Sequence, residues 1–272
     1  MKRMKVISAR FSDDMKNFER HYHDAHQIIY VESGEISVKI ENEEYRAGDG
    51  DLIILSRFEQ HAISVLTPQY KRYSVVISPE ATTSGTDEYI LSTVLTNRFE
   101  GFSHIVNMRG REEEIKKFFE KMTEEFDEKH PFYQTKTDLL LREFLISLYR
   151  NFPTLFISDI NQNTMIVKKI QERFEKHYME KVSLSDIGEK YHISSSHLAH
   201  IFKEITGYST IDYLISCRLS VAKRMLSSTD DNIKEIIYQC GFSDESNFSR
   251  MFKQKVGMTP TEFRKRYKKS AR

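Results

Sequence analysis

Hydrophobic and polar positions change their period along this chain. From Val6 to about Ile77 they alternate in short runs, as in QIIYVESGEISVKIENEEYRAGDGDLIIL, broken by turn residues at Ser33-Gly34, Glu41-Asn42 and Gly48-Asp49-Gly50. A period of two marks half-buried strands, and several short ones at regular spacing predict a small β-barrel or jelly roll. From Arg111 to Tyr149 the apolar residues instead recur every three or four positions: Ile115, Phe118, Met122 and Phe126, then Leu141, Phe144, Leu145 and Leu148. That period predicts two amphipathic helices, an antiparallel pair interrupted at His130-Pro131. The polar stretch 151–164, with Pro153 and several Asn and Ser, reads as a linker. Beyond it, helices are expected over Met165 to Tyr178 and over Thr210 to Leu226, the latter roughly 25 Å long at about 1.5 Å per residue. The pattern describes an α+β chain with three regions: a β-barrel over 1–105, a helical pair and linker over 106–163, and an all-α domain over 164–272.

Within the all-α domain a single pattern occurs twice. Leu198, Phe202, Lys203 and Gly207 reappear as Phe248, Phe252, Lys253 and Gly257, each fifty residues later, and Ile187 and Ile237 keep that offset. A repeat containing a short helix, a tight turn and a second helix reads as a duplicated helix-turn-helix, whose second helix is shaped for the DNA major groove. Start signals agree. Asn232 precedes Glu235 and Thr259 precedes Glu262 by the capping-box spacing, Pro260 falls at a first helical position, and Gly207 and Gly257 end the second helices. On a helical wheel Leu198, Ile201, Phe202 and Ile205 face inward, leaving Ser196, Ala199, His200 and Lys203 outward. In the second copy Phe248, Met251, Phe252 and Val256 face inward, and Ser246, Ser249, Arg250 and Lys253 face outward.

Those eight outward residues are the expected DNA-binding set. Arg250 is the strongest base reader among them, because its planar fork donates twice to guanine; His200 is its weaker counterpart. Lys203 and Lys253 suit phosphates, and Ser196 and Ser246 suit either. The long helix between the repeats sets the readers about one DNA turn apart, roughly 34 Å.

Composition adds two points. The near-neutral total of +1 hides an asymmetry: residues 164–272 hold 20 basic and 13 acidic side chains, the rest 21 and 27. The basic excess therefore lies with the repeat, where phosphates would be met. Only two cysteines occur, Cys217 and Cys240, and no charged-then-apolar leader or long apolar window is present, so a reduced, cytoplasmic protein without a membrane span is expected. The sequence shows no Gly-rich phosphate loop, zinc-finger cysteine spacing or nucleophile elbow.

With these residues in view, the C-terminal hundred or so positions resemble the AraC/XylS family of bacterial transcription regulators. The resemblance rests on SLSDIGEKYHISSSHLAHIFKEITG, on Tyr213, Leu214, Arg218, Leu219, Ala222 and Leu226, and on IKEIIYQCGFSDESNFSRMFKQKVGMTPTEFRKRY. Gly188 and Ile237 stand where that family usually has alanine, and Thr210 where it often has proline. The N-terminal region is similar to the cupin-type sensory domain of many members. His21, His23, Gln27 and Gly34 fit the first cupin motif, with Gln27 in place of glutamate, and Gly50, Ser56, Phe58 and His61 occupy the Gly, Pro, Gly and His positions of the second.

The resemblance implies a sequence-specific DNA-binding regulator, an activator working with RNA polymerase, as a homodimer joined through the helical pair. The alternatives are a repressor or control by a protein partner. It also implies a small-molecule effector, a sugar or other metabolite, in a pocket of His21, His23, Gln27, Tyr30 and His61, with aromatic platforms drawn from Tyr22, Tyr30, Tyr45 or Phe58. Metal-dependent cupin enzymes use three such histidines, so His21, His23 and His61 are possible ligands of a divalent metal; no other cofactor is expected. His26 falls out of step with His23 and is expected on another face of its strand. A cupin dioxygenase or isomerase is the competing class, and the attached DNA-reading module argues against an enzyme.

Overall fold

The computed structural model describes residues 5–78, 86–99, 101–157 and 160–268. Its contacts divide the chain into two compact units, Met1–Asp159 and Ile160–Arg272.

The first unit is a two-sheet barrel backed by helices. Strands β1 (Val6–Ser12), β8 (Lys71–Ile77), β3 (His26–Ser33), β6 (Asp51–Leu55) and β9 (Ile105–Asn107) form one sheet in that order; β2 (Phe18–His21), β7 (His61–Val65), β4 (Ile36–Ile40) and β5 (Glu43–Ala47) form the other. All pairings between them are antiparallel. Ile29, Val31, Ile53 and Leu55 of the first sheet meet Ile36, Val38, Ile40 and Ile63 of the second. The opposite face of the first sheet is also buried: Ile28, Tyr30, Leu52, Ile54, Tyr73 and Val75 pack against α1 (Thr86–Thr96), α2 (Glu112–Glu128) and α3 (Tyr133–Asn151). Burial on both faces explains why β3 reads IIYV without a polar break. Gly34 makes the turn after β3 possible: its φ is +88°, and a Cβ there would stand 2.7 Å from the Tyr70 backbone.

The predicted helical pair is present, and its inner face belongs to the barrel's core. Ile115, Phe119 and Met122 of α2 and Leu141, Phe144, Leu145 and Leu148 of α3 join the sheet residues in one cluster. The start of the expected linker differs from its composition. A 3-10 turn, Pro153–Leu155, follows α3, and Leu155 and Phe156 are buried in that same cluster. Leu155 and Phe156 escaped the periodicity argument because one turn has no period to display. Residues 158 and 159 lie outside the described residues.

The second unit holds α4 (Gln162–Lys176), α5 (Leu184–Tyr191), α6 (Ser195–Thr206), α7 (Thr210–Ser228), α8 (Ile233–Gln239), α9 (Glu245–Val256) and α10 (Pro260–Tyr267). Phe174, Phe202 and Tyr213 pack with tilted and edge-to-face rings at the centre of the first half, with Phe202 and Tyr213 ring centroids 5.5 Å apart. Phe248, Phe252 and Phe263 do the same in the second half. α7 contributes Leu219, Ala222 and Leu226 to this second core and Tyr213 to the first, which makes it a shared wall. Arg218 on α7 donates from Nε to the Tyr178 carbonyl, 2.7 Å, and from Nη2 to that of Glu180, 2.9 Å, tying the loop after α4 to the middle of the unit. Both expected capping boxes form, at Asn232 and Thr259, and Gly207 and Gly257 close α6 and α9 at φ +77° and +84°.

One expectation about the repeat needs correction. The fifty-residue offset holds for the N-caps Ser194 and Asp244, the glycines Gly207 and Gly257, and the N-caps Ser209 and Thr259. It fails upstream, where the N-caps Ser183 and Asn232 and the left-handed residues His192 and Gly241 are forty-nine apart. The turn of the second copy is one residue longer, so Ile187 corresponds to Ile236, not Ile237. Both Ile236 and Ile237 are buried, which is why either match looked acceptable.

Candidate functional site

Two sites emerge, one in each unit. In the first, a cavity of about 580 Å³ opens between the two sheets, lined by side chains of β1, β2, β3, β7 and β8. His21 ends β2 and pairs in register with His61, which begins β7. His23 follows in the next loop, and Gln27 reaches in from the opposing sheet. Ring centroids of His21 and His61 are 4.4 Å apart, and those of His23 and His61 5.1 Å.

Hydrogen bonds settle how these imidazoles are oriented. Nδ1 of His21 lies 2.8 Å from the Glu19 carbonyl, that of His23 2.8 Å from the Ala25 carbonyl, and that of His61 2.9 Å from the Glu59 carbonyl. A carbonyl only accepts, so each of these Nδ1 atoms carries a proton. Burial, then the nearby His23 and His21, pushes the His61 imidazole down to about 3, so it stays neutral. Gln27 links the loop after β2 to β8: its Oε1 is 3.0 Å from His23 Nε2, and its Nε2 donates to Ser74 Oγ at 2.7 Å.

Of the five expected pocket residues, four line this cavity and Tyr30 does not. The alternation of β3 decides this: Gln27 and Ile29 point between the sheets, while Ile28 and Tyr30 point to the helices. The Tyr30 ring stacks on Phe119, centroids 5.6 Å apart, and its hydroxyl donates to the Glu112 carbonyl at 3.3 Å. Nor do Tyr22, Tyr45 or Phe58 supply a platform; the lining aromatics are Phe11 and Phe18. Phe58 takes the left-handed backbone, φ +71°, at the place where the cupin motif has glycine. Its burial under Arg57, whose guanidinium lies 4.3 Å from the ring centroid, holds it there.

Sequence reasoning missed Arg72, which lines the cavity and whose side chain is only 8% exposed. Its Nη2 meets Asp14 Oδ1 at 3.2 Å, and its guanidinium lies over the Phe18 ring at 4.7 Å. The usable signal was parity, since Arg72 alternates with the buried Tyr73 on a strand next to β3.

His26 is on another face, as expected. It is fully buried, and its Nδ1 accepts from the Arg57 backbone N–H at 3.2 Å. Burial, then the charges of Arg57 and Arg98, lowers its pKa to about 3. Beside it Glu59 binds Arg98 and His104. Burial alone would raise the Glu59 carboxyl, but the Arg98 charge and the hydrogen bonds from His104 and Arg98 outweigh it and hold the group ionised.

The second site is the pair of helices α6 and α9. Leu198, Ile201, Phe202 and Ile205 are buried, as are Phe248 and Phe252, while Met251 and Val256 are half-buried. The eight expected outward positions lie at the surface: Ala199 is half-exposed, and Ser196, His200, Lys203, Ser246, Ser249, Arg250 and Lys253 are exposed. His200 faces Glu204 across one turn at 3.7 Å. Arg250 Nη2 donates to Asn247 Oδ1 at 2.9 Å, so the guanidinium is held along the helix. Asn247, also exposed, was missed; its three-residue spacing from Arg250 was the available signal. Among the described residues no helix is long and apolar enough to cross a membrane.

Comparison with known proteins agrees with this division. An AraC-like ligand binding domain family matches residues 5–145, and a helix-turn-helix domain family matches residues 187–266. The uncharacterized HTH-type transcriptional regulator YdiP of Escherichia coli is 26% identical over 95% of this chain and 85% of its own length. The HTH-type transcriptional activator RhaS of an Enterobacter species is 24% identical over 91% of this chain and 87% of its own. Among solved structures, ToxT from Vibrio cholerae superposes with a TM-score of 0.62 at 16% identity, covering 97% of this chain and 98% of that one, which shows a shared fold.

Proposed function

The chain belongs to the AraC-like family of ligand-binding regulators, and from that premise we propose that α6 and α9 read two successive major-groove segments of a promoter while the cavity near His61 takes the controlling effector. The observation that carries this reading is the pair of equivalent exposed helix faces, both anchored to α7 through buried aromatic residues. α7 has 19 residues, giving it a length of about 28 Å at 1.5 Å per residue. It thus sets the readers at a separation near one DNA turn.

Arg250, steadied by Asn247, reads a guanine, and His200 makes the weaker base contact. Lys203 and Lys253 hold phosphates, and the serines with Ala199 fit against backbone or base edges. The protein acts in the cytoplasm as an activator, helping RNA polymerase at its promoter, and it catalyses no reaction. It works as a homodimer through residues 106–163. On α3, Leu139 and Ile146 are 57% and 39% exposed, and Phe132 just before the helix 83% exposed, at seven-residue intervals along one stripe.

Binding of the purified protein to the promoter of a gene it controls, against random duplex at physiological salt, tests the reading. Specific binding at least a thousandfold tighter than random is expected, and equal affinities would refute it. Transcription from that promoter by RNA polymerase, run with and without the protein, separates activator from repressor. Sedimentation of a Leu139→Lys, Ile146→Lys variant decides the dimer, which this change should dissociate.

A further inference from the structure

Outside the cavity, Glu59 and Arg98 form a buried ion pair that neither DNA reading nor effector binding uses. Glu59, in the turn between β6 and β7, accepts from Arg98 Nε and Nη2, from the Ser56 backbone N–H and from His104 Nε2. The Arg98 and Glu59 side chains are only 8% and 5% exposed. Such a pair is a poor source of stability, because desolvation offsets most of its attraction, yet pulling it apart strands a charge in the interior. Partial separation is therefore costly, which favours distinct positions over a range of loose ones. Arg98 spends its remaining donor, Nη1, on the carbonyls of Val94 at 3.2 Å and Asn97 at 2.6 Å. The same guanidinium thus caps the last turn of α1, where a cation suits the helix dipole. On that turn Thr93 is fully buried. Valine would fill the space as well; the hydroxyl serves to accept from the Ile157 backbone N–H at 3.0 Å while donating to the Ile90 carbonyl at 2.6 Å. Leu155 and Phe156, just ahead of Ile157, share a core with Val94 and Leu95. Ile157 is the last described residue before the second unit starts at Ile160. At the other end, the Glu59 carbonyl holds the His61 imidazole at 2.9 Å. These contacts run without a gap from His61 to the point where the chain leaves the first unit.

We propose that Glu59, Arg98 and Thr93 form a latch with two positions, one holding Ile157 against α1 and one releasing it, and that movement of the Glu59 turn switches between them. His26 Nε2 and His104 Nδ1, buried beside the pair, have no hydrogen-bond partner among the described residues, so a second arrangement of the cluster has bonds to gain. A ligand that bound one position of the turn better would shift the balance. That regulatory meaning rests on the reading of the chain as an effector-controlled regulator; the coupling itself needs only the first unit.

Native-state hydrogen exchange of the full chain, read at the Ile157 amide by fragmentation mass spectrometry, tests the latch without promoter or effector. Thr93→Val, which keeps the shape and removes the acceptor, should speed exchange there about tenfold, the size expected for one lost hydrogen bond. Glu59→Gln, at the far end of the contacts, should speed it by about as much. The two together should be no faster than the faster of them, because both open the same latch. His61→Leu, which deletes the ring's bond to the Glu59 carbonyl, should give a smaller gain of about threefold. An unchanged rate in Glu59→Gln, or gains that multiply in the double variant, overturns the latch. So does an equal loss of protection across β3 and β6, which would make the pair a general staple of the unit. An unchanged rate in His61→Leu overturns switching through the Glu59 turn. Failure of these measurements with promoter binding preserved removes the latch alone; the expected exchange with equal affinity for promoter and random duplex removes the regulator reading instead.

Discussion

The two helix-turn-helix copies share a frame and differ in what they offer to solvent. In each, a side chain caps the second helix, two fully buried core residues anchor it four residues apart, Leu198 and Phe202 or Phe248 and Phe252, and a left-handed glycine ends it. The exposed faces diverge. α6 shows Ser195, Ser196 and His200, with His200 beside Glu204; α9 shows Asn247 and Arg250 bonded to each other. The turns diverge too, by one residue, and the first depends on Gly188. Burial constrains the frame because a lost methylene there costs stability, whereas the outward face is free to acquire a different readout. On the proposed reading, the second copy is the sharper reader and the first mainly a clamp.

That comparison can be attacked from several sides. Phe202→Ala and Phe252→Ala should each cost about 3–5 kcal/mol in denaturant unfolding, since both rings are fully buried; a much smaller loss from one would break the claim of equivalent frames. Gly188→Ala should cost about 1–3 kcal/mol, by overpacking. Its Cβ would fall 2.5 Å from the Ile193 carbonyl oxygen, while a Cβ at Gly257 meets open space and suffers only from φ +84°. A thermal melt showing Gly188→Ala as harmless would contradict the close packing of the first turn against α5. Arg250→Ala should lose about 1–3 kcal/mol of discrimination at one base pair, and His200→Ala less, in binding to single-base variants of the site.

Acid should separate the units as well. His26 binds no proton in the fold until about pH 3 but titrates near 6.5 when unfolded. The unfolded state thus holds the extra proton between those values, and the first unit loses up to about 1.4 kcal/mol per pH unit as pH falls through that window. The second unit's histidines, His177, His192, His197 and His200, are all exposed. His26→Gln should remove about half of the slope in that window, because His61, also held down to about 3, supplies the rest. Smallest is Asn247→Ala, worth roughly 0.5–1.5 kcal/mol as a lost hydrogen bond in the DNA complex, visible only as a weaker preference at the Arg250 base pair.

Much of this was legible in residue order. The core stripes of α6 and α9, both capping boxes and the helical pair follow from period and caps, which are local properties. What escaped was set by partners distant in sequence. Tyr30 looked like a pocket residue beside Gln27, but only the helices covering β3 show that its parity takes it out of the barrel. Arg72 carried no motif, and its place in the cavity came from pairing β8 between β1 and β3. The one-residue difference in the turns was hidden because Ile236 and Ile237 are adjacent and both apolar. Leu155 and Phe156 sit in a single turn, too short to show a period.

The central claim is that one chain grips two adjacent major grooves at once. Hydroxyl-radical and methylation protection on the bound promoter tests it most directly. Two protected major-groove segments per chain, about 10 base pairs apart on one face of the duplex, should appear, with Arg250→Ala removing guanine protection in one of them alone. A single protected segment, or loss of both together in that variant, would contradict the account.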